Sequence, residues 1–196
     1  MPVAHPPLIF VRHGETDWNA EGRLQGQRDI PLNARGRGQA RRNGEEIARL
    51  IPEAAGYDFI SSPLWRARET MEIARGAMKL DPQSYTVDAR LIEITFGELE
   101  GFTYQDIENR EPGWLAMRET NKWEYVPPGG ESYHMLSERI IAWLGTIVRP
   151  AVVVAHGGVG RVLRAHLLGL DRLVSVSEDF PQDRVFLWRD GTGQWL

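Results

Sequence analysis

Residues 151–155, AVVVA, form a five-residue apolar run with no polar position in it. Such a run reads as a buried strand. It is the most strand-like stretch of the chain. Leu8 to Val11, LIFV, is a shorter run of the same kind. Between them the pattern is helical. Asn33 can cap a helix to about Leu50, with Pro52 beyond its end. Tyr57 to Ser61 reads as a strand. Ser62 and Pro63 follow, and these residue types favour the N-cap and first position of a helix. Ala67, Thr70, Met71, Ala74 and Met78 give that helix one buried face. Tyr85 to Val87 is a short strand. A long helix starts at Ser132, with Leu136, Ile140, Trp143, Leu144 and Ile147 inward. HGGVGRVLRAHLLGL is a further helix with Leu163 and Leu167 on one side. RVFLW, Arg184 to Trp188, then DGTG and QW, describe a closing hairpin. Strands that alternate with helices in this way predict a three-layer α/β/α sandwich with a mostly parallel central sheet.

The length of 196 residues and a hydrophobic content of 42% suit a single domain over 1–196. The stretch from Gly97 to Gly130 stands apart. It is rich in Trp, Glu, Pro and Gly and weak in periodicity. Thr103 with Asp106 can start a short helix inside it. The segment reads as a helical insertion over one end of the sheet, where it would act as a lid and set specificity. Trp114 and Trp123 would form either a wall of that lid or core anchors.

Composition narrows the function. There is no cysteine, which excludes disulfides and thiolate chemistry and is compatible with a reducing compartment, so the expected location is cytoplasmic. The net charge of -4 argues against a nucleic-acid partner. No apolar run approaches the roughly 18 residues of a membrane span, so no membrane partner is expected. The start, MPVAHPPLIF, lacks the charged and apolar regions of a signal peptide and reads as a short extended lead-in. A homodimer is compatible with the sequence. Of the 23 basic residues only Lys79 and Lys122 are lysine, which leaves 21 arginines. Arginine alone is therefore weak support for phosphate binding, and position has to carry the argument.

Position does carry it. Leu8 to Val11 ends at Arg12-His13-Gly14, and Ala151 to Ala155 ends at His156-Gly157-Gly158. Ligands bind outside the carboxyl ends of strands in open parallel sheets. A glycine such as Gly157 lets backbone approach a ligand. A third strand ends at Ser61-Ser62, with Arg66 close behind. Two Arg and two His thus converge if these strands are neighbours. Arginine grips phosphate oxygens with two donors at once, and histidine is a competent nucleophile at phosphorus. Two arginines and a second imidazole could stabilise the phosphoryl oxygens without a metal. A proton donor is also needed, and RLIEITFGELEG offers Glu93, Glu98 and Glu100. Arg68, His134 and His166 read as ordinary structural positions. HGGVG has the wrong glycine spacing for a dinucleotide loop.

RHGETDWN, GRLQGQRDIPLNARGRGQA, SSPLWRARET, RLIEITFGELEG and VVVAHGG, in this order, resemble the histidine phosphatase superfamily, also called phosphoglycerate mutase-like. The resemblance implies that His13 is the nucleophile that forms a phosphohistidine. It implies that Arg12 and Arg66 bind the phosphate with His156 beside them and that Asn19 contacts the phosphoryl group. Gln25 and Gly26 would line the entrance, and Glu93 would be the proton donor and acceptor. It also implies one antiparallel edge strand, no cofactor or metal, and a small phosphorylated substrate. Within the family, cofactor-dependent mutases carry a longer insertion with an Arg-Arg pair. Here Arg110 and Arg118 stand singly, and PPGGES looks like the phosphatase branch. Hydrolysis is therefore expected, with a mutase or a non-catalytic phospho-ligand binder as alternatives.

Overall fold

Two apolar runs become the centre of a six-stranded sheet. The computed structural model of the chain describes residues 5–196; the lead-in read into residues 1–4 lies outside them. In chain order the elements are β1 (Leu8–Arg12), α1 (Asp17–Ala20), α2 (Ala34–Leu50), β2 (Asp58–Ser61), α3 (Trp65–Ala77) and β3 (Thr86–Val87). Then come α4 (Tyr104–Arg110), α5 (Trp114–Thr120), α6 (Tyr133–Leu144), β4 (Ala151–Ala155), α7 (Gly157–Leu168), α8 (Arg172–Ser177), β5 (Val185–Arg189) and β6 (Thr192–Trp195). The strand order is β3-β2-β4-β1-β5-β6. The first four are mutually parallel. β5 runs antiparallel to β1, and β6 folds back on β5 at the edge. Asp190 and Gly191, both at positive φ, make the tight turn between those two strands.

Alternation along the strands sorts the core into two layers. Leu8 and Phe10 of β1 and Val153 of β4 pack with Leu136, Ile140 and Trp143 of α6 and Leu163 of α7. Ile9 and Val11, with Val152 and Val154, face Ile47 of α2 and Ala67 and Met71 of α3. Both faces are covered by helices, so the continuous apolar runs have no solvent side. The helix starts at Asn33 and Ser132 are where the sequence puts them, each capped by its own side chain. Ile147 is half-buried against the core but lies beyond the end of α6.

Two local expectations change. The helix after β2 does not start at Ser62-Pro63. It starts at Trp65, whose N–H is taken by Asp29 Oδ1 at 2.8 Å. Ser62 is instead fully buried beneath the strand ends. The insertion also holds more structure than its weak periodicity predicts. α4 begins with the reciprocal Thr103–Asp106 cap, and α5 follows a left-handed Gly113. Trp114 and Trp123 are both buried, so they anchor the packing. Trp114 Nε1 donates to Tyr125 Oη at 2.8 Å, and Trp123 stacks on Tyr133. Among the described residues no helix is long and apolar enough to cross a membrane.

The loop after β1 is held against α2 by glycine. A Cβ on Gly36 would lie 2.1 Å from the Glu15 carbonyl oxygen, and one on Gly14 would lie 2.3 Å from the Gly36 oxygen. In an isolated helix Gly→Ala is stabilising by up to about 1 kcal/mol. Here the clash is with backbone, which cannot swing aside. Gly36→Ala is expected to destabilise the protein by about 1–3 kcal/mol, read as a lower thermal midpoint. A raised midpoint would show that the loop does not rest on α2.

Candidate active site

The parallel register brings the two histidines together. Arg12 pairs with Ala155, and the His13 N–H donates to the Ala155 carbonyl at 2.9 Å. His13 and His156, one residue past each strand, therefore lie side by side with ring centroids 5.2 Å apart. β2 ends level with them, because the Ser62 N–H donates to the Val154 carbonyl at 3.0 Å. Both rings are buried. His13 Nδ1 faces the Gly14 carbonyl at 2.7 Å. A carbonyl only accepts, so Nδ1 carries the proton and Nε2 keeps its lone pair. His156 Nε2 shares a 2.6 Å hydrogen bond with Ser62 Oγ, which explains why Ser62 does not cap α3. Its Nδ1 is buried without a partner.

The two arginines enclose this pair. Arg66, 1% exposed, directs Nε–H to His13 Nε2 at 3.2 Å. Its other nitrogens donate to the Arg28 and Gly26 carbonyls at 2.6 and 2.7 Å. Arg12 donates to the Phe180 carbonyl at 2.7 Å and keeps a buried Nε with no partner. Among the described residues neither makes an ion pair with a carboxylate. Burial pushes both guanidinium pKa values down to about 10, and the neighbouring Arg161 adds to the effect on Arg12. Both still carry a charge at neutral pH. Burial, then the charges of Arg66 and Arg12, hold the His13 imidazole well below its ordinary pKa. Burial and Arg66, with smaller contributions from His13 and Arg12, do the same to His156. The site is thus strongly positive while its imidazoles are neutral.

One carboxylate of the three offered by sequence reaches the site. Glu93 lines the cleft and is held by the N–H groups of Gly158, at 3.0 Å, and Ile94, at 2.9 Å. Glu100 is turned away to Thr95, Phe96, Gln27 and Arg28. Glu98 is exposed on a short turn. Asn19, Gln25, Gly26 and Gly157 line the same cleft. Asn19 Oδ1 is occupied by Thr16 and Gln182, which leaves its amide N–H groups free to donate. Gln25 is buried with Oε1 unpartnered. A Cβ on Gly157 would sit 3.4 Å from Arg12 Nε, so glycine keeps the space before that guanidinium open. His156 packs against the His13 ring and, unlike these residues, is not among those that line the cleft.

The cleft holds about 190 Å³ of space, and its lining includes residues that sequence reasoning passed over. Arg161 of α7, Arg118 of α5, Lys122 and Arg23 join Arg12 and Arg66, against Glu93 alone. Arg118 is 4% exposed, so it is no solvated singleton. For Arg161 a signal existed. It lies one helical turn after Gly157 and so on the same face of α7, at the strand end.

The family model described as histidine phosphatase superfamily (branch 1) matches residues 8–176. A relative from Salmonella paratyphi C (strain RKS4594), described as a probable phosphoglycerate mutase GpmB, is 39% identical over 169 residues, 83% of this chain and 75% of its own length. A solved structure named mycobacterial hydrolase 1 superposes with a TM-score of 0.80 at 30% identity, covering 98% of this chain and 96% of that one. The mycobacterial glucosyl-3-phosphoglycerate phosphatase, solved with VO3, gives a TM-score of 0.76 at 31% identity, with 98% and 96% covered. The sheet order, the strand-end site and the matched span give one conclusion: the chain belongs to the histidine phosphatase superfamily, branch 1.

Proposed function

We propose that the protein is a metal-independent phosphomonoesterase that hydrolyses a small phosphorylated metabolite in the cytoplasm through a phosphohistidine at His13. The observation that carries this is the His13 Nε2 lone pair. It is fixed by the Nδ1–H bond to Gly14 and lies beside Arg66, which has only carbonyls and His13 itself as partners. A phosphoryl group placed there would draw the Arg66 Nε–H away from His13 Nε2, receive it together with N–H donors from Arg12, and so present its phosphorus to the freed lone pair. The site assignments follow. Asn19, Gln25, Gly26 and Gly157 border the phosphoryl group, and His156 supports it from behind.

The reaction runs in two displacements. His13 Nε2 attacks phosphorus, the bond from phosphorus to the ester oxygen breaks, and a protonated Glu93 gives its proton to that leaving oxygen. The alcohol departs. Water then attacks the phosphohistidine, Glu93 takes a proton from it, and the N–P bond breaks to release phosphate and neutral His13. The arginines offset the charge on the equatorial oxygens in both steps.

A mutase reading draws on the name of the Salmonella relative and on the cations that the insertion adds to the cleft. It predicts isomerisation of a phosphoglycerate, stimulated by a bisphosphate primer. Release of inorganic phosphate without isomerisation, in the presence of chelator, supports hydrolysis.

Rapid quenching into base after mixing with a labelled phosphomonoester is expected to trap an acid-labile label on His13. His13→Ala should lower kcat by about 10³-fold or more. Glu93→Gln should slow phosphoenzyme formation by about 10²–10⁴-fold with an alkyl ester and much less with p-nitrophenyl phosphate, whose leaving oxygen needs no proton, while the hydrolysis of the phosphoenzyme slows with both. An active His13→Ala protein would end the proposal.

The depressed imidazoles set a pH dependence. In the unfolded chain they protonate near pH 6.5, but in the folded protein only at lower pH. The folded state binds fewer protons between those limits, so stability is complete above about pH 6.5 and falls as pH drops. The slope is about 1.4 kcal/mol per pH unit for each imidazole. Urea midpoints from pH 8 to pH 5 should fall accordingly, and less steeply in His156→Gln. A slope unchanged by that substitution would show that His156 is not neutral in the fold.

A further inference from the structure

Glu93 sits in a loop, yet its main chain is gripped from two distant elements. Its carbonyl accepts an N–H from Gln27 Nε2 at 3.0 Å and one from Arg139 Nη2 at 3.3 Å. Gln27 belongs to the loop before α2, and Arg139 to α6. The carbonyl shares a peptide plane with the Ile94 N–H, and in a trans peptide the two point in opposite directions. That N–H is one of the two groups that hold the Glu93 carboxyl, through Oε1 at 2.9 Å. Donors at the oxygen end therefore fix a plane whose other end aims the side chain. The donors are themselves locked. Arg139 meets Glu131 through Nε and Nη2 at 2.9 and 3.0 Å, a two-point grip, and its Nη1 donates to the Arg90 carbonyl at 2.5 Å. One planar group thus ties the Arg90 and Glu93 carbonyls together. Gln27 is fixed by its own backbone N–H, which donates to Glu100 Oε1 at 3.0 Å.

We propose that Arg139 and Gln27 are positioning residues, which aim the Glu93 carboxyl at the leaving oxygen by holding the Glu93–Ile94 peptide from outside the cleft. The inference rests on reading Glu93 as the proton donor. Neither Gln27 nor Arg139 lines the cleft, so neither touches a substrate held there. Aim matters because proton transfer needs hydrogen-bond reach, and a misplacement of about 1 Å can cost about 10²-fold. The grip also joins Glu93 to the end of the insertion. The Glu131 N–H donates to the Thr95 carbonyl at 2.9 Å, where the chain leaves the insertion, and the Glu131 carboxylate holds Arg139.

The test separates aim from stability by the leaving group. Arg139→Lys keeps the positive charge that acts on His156 but lacks the planar fork that joins Arg90, Glu93 and Glu131. Gln27→Met keeps the side-chain length, loses the N–H, and serves as the second variant should Arg139→Lys fail to fold. Rapid-quench formation of the phosphoenzyme is measured with p-nitrophenyl phosphate and with 2-phenylethyl phosphate, an alkyl ester of similar size. In each variant the rate with the alkyl ester is expected to fall about tenfold. With p-nitrophenyl phosphate it should stay within about twofold of wild type, because that leaving oxygen needs no proton. In a Glu93→Gln background neither variant should slow the alkyl ester further. Equal slowing of both esters, no slowing of either, or a full further loss in the Glu93→Gln background overturns the assignment. The reading it rests on fails differently: wild-type protein then forms no phosphoenzyme with either ester, or Glu93→Gln itself slows the two alike.

Discussion

Arg12 and Arg66 are buried cations held by carbonyl oxygens and not by carboxylates. Carbonyls satisfy N–H groups, but they do not cancel charge. Removing such ions from water costs several kcal/mol each. An internal carboxylate would lower that cost and would also compete with any phosphate that arrived. Among the described residues the fold gives neither guanidinium a carboxylate in contact, only Glu93, Asp29, Glu100 and Asp179 at longer range, and the two-layer core has to offset the remaining cost. Burial first, and then the same guanidinium charges, hold the His13 and His156 imidazoles well below their ordinary pKa. The positive charge of the pocket and the depressed imidazole pKa values thus have a single cause: two guanidiniums confined with two imidazoles away from solvent.

Such a cluster persists only if the backbone around it is fixed. Three parallel strands end level, so Arg12, His13, Ser62 and His156 leave the sheet at one height. The loop after β1 is pressed onto the first turn of α2, where both contact residues, Gly14 and Gly36, lack a side chain. At α3 the chain gives up local capping for the site. Ser62 could have served the helix end, but its hydroxyl meets His156 and the distant Asp29 caps Trp65. A buried imidazole nitrogen without a partner costs more than a helix end that another side chain can reach.

What was legible in the sequence follows from the range of each interaction. The sheet, α2, α6, α7 and the closing hairpin are set by local periodicity, caps and turn residues, and they form as read. Arg12, His13, Arg66 and His156 were legible because strand ends in a parallel sheet converge. Other features depend on contacts distant in sequence. Nothing near Ser62 announces His156, 94 positions away. Glu93, Glu98 and Glu100 look alike in one loop, and only the Gly158 and Ile94 N–H groups single out Glu93. In a chain with 21 arginines, Arg118 and Arg161 carry little signal by type. Trp114 and Trp123 mark a packing centre without saying which way it faces.

The insertion is a packing unit in its own right. Trp114, Tyr104 and Tyr125 pack together, and Trp123 ties the unit to the main core through Tyr133. The rings that stabilise α4 and α5 are the ones that hold the Arg118 guanidinium. Aim and stability are therefore coupled in the insertion, whereas the strand-end cluster depends on the sheet. A change at α5 can move the Arg118 guanidinium that lines the cleft and leave the strand-end cluster in place. A change at β1 or β4 cannot be local in this way, because Arg12 and Ala155 are joined by the strand pairing that builds the core. The strand-end cluster on the sheet and the cations on the insertion can then vary independently, and in a fold of this kind substrate choice can change without a change of scaffold.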